Sequence, residues 1–390
     1  MSTADVRNLF PVIAQRNTAY FASCSYGPLS VPVKEALQSY MADWEEKGMN
    51  WDLWMEKYEE LRREIAALIG ATADEIAIVP NVSSGLASVA SALKLEGKSV
   101  VLSDLNFPTV GHVWLAQRKR DAQVKIVRGT EWKLNVEDLE RAIEDNTLVL
   151  SEPHVCYQNG FKYSSVRALS EIAHKHGALM IVDDAQSTGV INIDVKKEDV
   201  DVMVTTTLKY LMGGAGLGIL YVRKELIEEL EPLLVGWFSQ QEPFSFDIYN
   251  LTYSSTARRF ESGTPAVPTV ITSLESVKFV RSIGVENIEA HVKSLVMYAT
   301  RLGEELGLDI ISPKNIENMG PMFVFRSMNP HKVAEELAKR RIIVSPRGPA
   351  VRVAMHIFNT KEDIEKLFEN LMDMMRNRQY SFEQSQEKDF

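Results

Sequence analysis

The stretch TTTLKYLMGGAGLG, residues 205–218, sets Lys209 behind three threonines and a leucine and ahead of a glycine-rich run. Most lysines are solvated surface charges, so Lys209 draws attention only through its neighbours. It ends an apolar run that begins near Val202, about 25 residues after Asp183, which is one βαβ step or less. Asp183 and Asp184 themselves stop an apolar run abruptly in MIVDDAQSTG (residues 180–189), with Gln186 close behind. A carboxylate at such a strand end can pair with a protonated ring nitrogen, and it can equally cap the next turn. A third cluster, PNVSSGLASV (residues 80–89), has Ser83, Ser84 and Gly85 opening a helix. The free N–H groups there could hold a phosphate, although the same pattern also serves as a plain helix cap.

Weaker candidates complete the inventory. Arg352, in AVRVAMH, alternates with apolar residues, as either an exposed arginine or a fork for a carboxylate. His174 and His176 are two apart on an expected helix, do not share a face for a metal, and read as solvated. No HExxH, GxSxG or paired CxxC occurs, so no metal is expected. GGAGLG lacks the strand-to-helix context of a dinucleotide loop, because a strand follows it; its glycines serve a tight turn beside Lys209.

Positioning these clusters requires an α/β frame. Between about residues 75 and 225, short apolar runs (EIAIVP, KSVVLS, TLVLSE, ALMIVD, VDVMVTT and GLGILYV) alternate with helical patterns. Consecutive apolar positions predict a largely parallel sheet covered on both faces, whose strand ends form a ligand crevice. Residues 226–265, with Pro232, Pro243, Pro265 and clustered aromatics, read as an irregular crossing. Helical patterns return over about 268–305, MFVFRS and RIIVSPRG suggest a small second sheet, and Thr360 and Asp363 are spaced as a capping box for a last helix.

The 390 residues predict two lobes, and 45% hydrophobic with 25% charged residues is the balance of a globular protein. A net charge of −10 without a basic run disfavours nucleic acid. Cys24 and Cys156 are too few for a disulfide framework, which points to a reducing compartment. The N-terminus lacks a signal pattern and no apolar run reaches membrane-spanning length; the expected location is cytoplasmic.

The clusters, taken in order with YFASCSYGPL, NVSSG, NFPT, VDDAQSTG, RRFESGTP and VSPRGPAVRVAMHIFNT, resemble the class V aminotransferases, pyridoxal-phosphate enzymes of fold type I. The resemblance spans nearly the whole chain. It implies a large domain with a mostly parallel seven-stranded sheet over 26–255, a smaller α+β domain over 256–376, an N-terminal segment 1–25 packed with the latter, and a polar tail 377–390. It implies pyridoxal 5′-phosphate held as a Schiff base by Lys209, which also shuttles the α-proton, with Asp183 on the ring nitrogen and Gln186 at the ring hydroxyl. Phe107 matches the stacking position, where phenylalanine is the kynureninase-like choice. Ser83, Ser84 and Thr206 match phosphate contacts, and Thr264 matches one supplied across a homodimer with a shared site. Arg352 and Ser25 match the substrate carboxylate end.

Two positions depart from the pattern. Leu208 stands where many members have histidine, and Tyr157 where several have asparagine. The family's cysteine desulfurases need a thiol on a loop upstream of the arginine, and residues 306–352 contain no cysteine. That disfavours a cysteine desulfurase; the resemblance implies transamination of a small amino acid, with a kynureninase-like lyase, an isopenicillin N epimerase-like epimerase or a cofactor-binding protein without turnover as alternatives.

Overall fold

The computed structural model describes residues 3–131 and 133–376, so the expected polar tail lies outside the described residues. In chain order the strands are β1 (Ala19–Tyr20), β2 (Ile76–Val79), β3 (Ser99–Ser103), β4 (Gln123–Val127), β5 (Thr147–Pro153), β6 (Leu179–Asp183), β7 (Val202–Thr206), β8 (Gly218–Val222), β9 (Met322–Arg326), β10 (Ile342–Ile343), β11 (Ser345–Arg347) and β12 (Ala350–Ala354). Seven of them form the central sheet in the order β2-β8-β7-β6-β5-β3-β4. β8 runs antiparallel to both of its neighbours and every other pairing is parallel. The fold is thus α/β: the mostly parallel sheet is what the alternating apolar runs predict, and its seven strands are what the family resemblance implies.

Both faces of the sheet are covered because successive strand residues point opposite ways. Met180 and Val182 of β6 and Met203 of β7 join one core cluster, whereas Ile181, Val202 and Val204 join the other. β4 departs from the six apolar runs. It lies at one edge of the sheet and, unlike β2 at the other edge, its residues QVKIV are half-buried or exposed, so it carries no continuous apolar signal.

A second sheet, antiparallel in the order β11-β12-β9, follows helices Val267–Ile283 and Val285–Glu305. RIIVSPRG is split between β10 and β11, and β1 pairs with β10 in parallel, tying the N-terminal segment to this region. The last helix, Lys361–Arg376, has its capping box: Thr360 N–H donates to Asp363 at 3.1 Å, and Asp363 N–H to Thr360 Oγ1 at 3.3 Å. Residues 226–265 are irregular, with short helical turns only. One buried ion pair fixes the end of that crossing: Glu261 accepts from Arg62 at 2.7 Å and from the Ile78 N–H at 2.9 Å.

Candidate active site

Adjacent parallel strands β6 and β7 deliver the two central groups. Asp183 closes β6, paired with Val204 of β7; β7 itself stops at Thr206, and Lys209 lies three residues beyond it in a turn rather than on the strand. That turn is braced from the N-terminal segment, where Gly27 N–H donates to Leu208 O at 2.8 Å. A Cβ on Gly27 would fall 2.5 Å from Lys209 O, so no larger residue fits there.

A cavity of about 210 Å3 gathers the strand ends and is lined by Ser83, Phe107, Asp183, Gln186, Thr206 and Lys209. Tyr157 and Leu208 line it as well, so both departures from the family pattern face the same space. A roomier cleft of about 450 Å3, near Lys162 and Glu289, contains none of these groups.

Lys209 Nζ sits 5.8 Å from the centre of the Phe107 ring, and Tyr157 meets that ring edge-on at 5.0 Å. Removal from bulk water pushes the Lys209 ammonium pKa down, and the Asp183 carboxylate only partly offsets this. Burial likewise pushes the Asp183 carboxyl pKa up, against the pull of Lys209. The choice between the two aspartates follows from their partners. Asp184 is fully buried and accepts from Ser187 Oγ at 2.6 Å and from Thr188 Oγ1, and it pairs with His154 Nδ1 at 2.8 Å; it builds the turn. Asp183 uses one oxygen for the Ala185 N–H at 3.0 Å and faces the cavity.

Gln186 Nε2 donates to Cys24 O at 3.1 Å, while its Oε1 is buried without a partner among the described residues. Thr206 Oγ1 donates to Leu217 O at 3.1 Å. The helix of the NVSSG motif starts at Val82, and its cap is Asn81, whose Oδ1 accepts from Ser84 N at 2.8 Å and from Ser84 Oγ at 3.1 Å. Ser84 is therefore tied to the cap and does not line the cavity, whereas Asn81 and Ser83 do. Thr264 is exposed and also lies outside it.

Arg352 is 1% exposed, which removes the reading as a surface arginine. Its Nη1 donates to Tyr157 O at 2.8 Å and its Nη2 to Ser25 Oγ at 3.0 Å and Ser345 Oγ at 2.7 Å. Nε is buried with no acceptor among the described residues, and its charge is felt at Lys209. Ser345 had no signal in the sequence, because it meets Arg352 only through the β11–β12 register. His174 is a correction: rather than being simply solvated, it bonds Asp201 at 2.7 Å.

The family described as Aminotransferase class-V matches residues 29–367. An uncharacterized aminotransferase of Bacillus subtilis, YcbU, is 38% identical over 94% of this chain and 96% of its own length. Among solved structures, the apo cysteine desulfurase of Thermococcus onnurineus superposes with a TM-score of 0.87 at 25% identity, covering 97% of this chain and 99% of its own. A lysine-to-alanine mutant of C-DES, with glycine covalently linked to its pyridoxal-phosphate cofactor, gives 0.86 at 21% identity over 94% of this chain and 99% of its own. Match, fold and cavity agree: this chain belongs to the class V aminotransferase family, and its cofactor is pyridoxal 5′-phosphate.

Proposed function

We propose that the chain is an aminotransferase that moves the amino group of a small amino acid to a 2-oxo acid. The observation that carries this reading is the Asp183 carboxylate at the end of β6 and the Lys209 amine in the turn just beyond neighbouring β7, both lining one cavity, with a buried arginine bonded to cavity-lining Tyr157. The residues present fit pyridoxal phosphate. Gln186 Oε1 is a buried acceptor without a partner among the described residues, Phe107 keeps 37% of its surface open, and the start of helix Val82–Ala92 faces the same space. In this reading Lys209 holds the aldehyde carbon, Asp183 the ring nitrogen and Gln186 the ring hydroxyl. Ser83, Ser84, Thr206 and the helix start hold the phosphate, Ser84 in the weakest position because Asn81 already engages it. Residues 26–255 would form the cofactor-bearing domain and 256–376 the smaller one.

When bound, the cofactor takes up the electron pair left at the substrate α-carbon when a bond there breaks. The chain does the rest. Arg352, supported by Ser25, orients the substrate carboxylate with its unused N–H groups. Lys209 Nζ takes the α-proton and returns it, and its lowered pKa leaves more neutral amine available near neutral pH. Asp183 keeps a proton on the ring nitrogen. The Phe107 face excludes water and offers a flat apolar surface.

Transamination is favoured over sulfur transfer because residues 306–352 hold no cysteine and both cysteines are buried. Burial pushes the Cys156 thiol up to about 11, leaving little thiolate. Thr264 would serve the phosphate of a partner subunit in a homodimer. The exposed apolar residues Leu233, Phe246, Ile248 and Tyr249, the last 91% exposed, support such an interface. No described helix is long and apolar enough to cross a membrane, and a cytoplasmic location accords with the reading.

The test is to incubate holoprotein with L-amino acids, with and without a 2-oxo acid, and identify products by mass spectrometry. Equimolar new amino acid and new 2-oxo acid are expected. Racemised or cleaved substrate without an acceptor would move the chain to the epimerase or lyase branch. Bound cofactor without any turnover would make it a binding protein. Alanine from L-cysteine with a persulfide on Cys24 would overturn the reading.

A further inference from the structure

Strands β11 and β12 pair so that Ser345 lies opposite Arg352 and Arg347 opposite Ala350. Residues directly opposite each other, and residues two apart on one strand, share a face. Ser345, Arg347 and Arg352 therefore project from the same side of the hairpin, and the bond from Arg352 to the Tyr157 carbonyl sets that side beside a residue that lines the cavity. Arg347 stands two residues further towards the tip than Ser345, roughly 7 Å along the strand. The tip is pressed against the same segment, since a Cβ on Gly348 would lie 2.9 Å from Gln158 Nε2.

The two arginines differ in what they have left to do. Arg352 is buried and largely engaged by the protein, whereas Arg347 is exposed and has no hydrogen bond or ion pair with any described residue. Arg347 is nonetheless not remote. Its positive charge, with that of Arg352, bears on both the Lys209 amine and the Tyr157 phenol, opposing the upward push of burial on the phenol. One carboxylate needs one guanidinium fork. A second unpaired cation beside Arg352 and Lys209 is a like-charge arrangement that a second anionic group would relieve.

We propose that Arg347 is a specificity-determining residue that recognises the distal carboxylate of a dicarboxylic substrate, an aspartate- or glutamate-like amino acid or its 2-oxo acid. This rests on the reading of Arg352 as the fork for the α-carboxylate. The bound dicarboxylate lies between the two arginines, its α-carboxylate on the buried one and its distal carboxylate on the exposed one. Tyr157, whose carbonyl engages Arg352 and whose ring packs on Phe107, joins the buried arginine to the cavity.

The experiment compares isosteric acid and amide substrates on the holoenzyme: L-glutamate against L-glutamine, and L-aspartate against L-asparagine, followed at the cofactor absorption band. The acid should exceed its amide in kcat/KM by about tenfold or more, mainly through KM. In Arg347→Gln that ratio should collapse towards unity, and Arg347→Lys should restore part of it. The reverse half-reaction, with 2-oxoglutarate against 2-oxopentanoate, tells whether donor or acceptor carries the second carboxylate. A readout without turnover is calorimetric binding of succinate to the holoenzyme, weakened about tenfold by Arg347→Gln relative to acetate. An intact cofactor band with no acid preference in the wild type, or with the same preference in Arg347→Gln, overturns the proposal. Failure of the cofactor to bind at all counts against the transaminase reading itself.

Discussion

Replacing Asp183 by asparagine isolates the carboxylate from the fold around it. The amide retains an oxygen for the Ala185 N–H, so the turn after β6 keeps its bond. Folding should not suffer, because burial already disfavours the charged carboxyl in this position. What is lost is an ionic hydrogen bond to the protonated ring nitrogen, which contributes about 1.5–3 kcal/mol. With a tenfold change for each ~1.4 kcal/mol, the bond alone accounts for a drop in kcat of about 10- to 10²-fold. A second consequence comes from Lys209, whose pKa is held up in part by the Asp183 charge. In Asp183→Asn that support disappears, so the acidic, rising limb of the pH–rate profile, set by the neutral Lys209 amine, should move to lower pH. The assays are steady-state kinetics across pH, cofactor content by absorbance and a thermal melt. A normal melt and cofactor content with kcat within about threefold of wild type would refute the assignment and point to Asp184 or to neither carboxylate.

Two further predictions concern stability. Glu152 is fully buried between Ser103 and Tyr163, with its pKa raised to about 7 from 4.5. A raised carboxyl favours folding fully only below its unfolded pKa, and the stability it confers is lost as pH rises from about 4.5 to about 7. Glu152→Gln should therefore flatten the fall in stability between pH 5 and pH 8 by up to about 3 kcal/mol, and urea midpoints at the two pH values check it. An unchanged slope would show that Glu152 titrates normally in the fold. Glu261→Gln breaks the buried pair with Arg62, which keeps only Glu59 at 3.0 Å as a charged partner. The expected loss is about 3 kcal/mol in denaturant unfolding, with weaker cofactor retention because the segment leading from Glu261 to Thr264 loosens. An unchanged midpoint would mean that the pair does not fix the crossing.

The frame was legible in the sequence wherever a strand is covered on both faces. β3, β5, β6, β7 and β8 read as apolar runs for that reason, while β4, exposed at the sheet edge, did not. The strand end at Asp183 was equally visible, because an abrupt polar stop after an apolar run is a local feature; Lys209, expected to end its strand, lies in the turn beyond it. What the sequence left open depends on contacts between distant residues. Asp183 and Asp184 are equivalent in MIVDD until Ser187, Thr188 and His154 take up the oxygens of Asp184. Asn81, not Ser83 or Ser84, caps the helix Val82–Ala92, its side chain accepting from the Ser84 N–H. Arg352 could be exposed or buried from its alternation alone. Only the β11–β12 pairing puts Ser345 beside it and Arg347 on the same face.

The most direct test of the account is which lysine carries the cofactor. Borohydride reduction of the holoprotein, followed by proteolysis and mass spectrometry, should place the reduced pyridoxyl group on Lys209 alone. Lys209→Ala should lose both that label and turnover while keeping its fold by circular dichroism. A label on any other lysine in the wild-type protein, or retained turnover in Lys209→Ala, would contradict the claim that this turn beyond β7 is the chemical centre of the molecule.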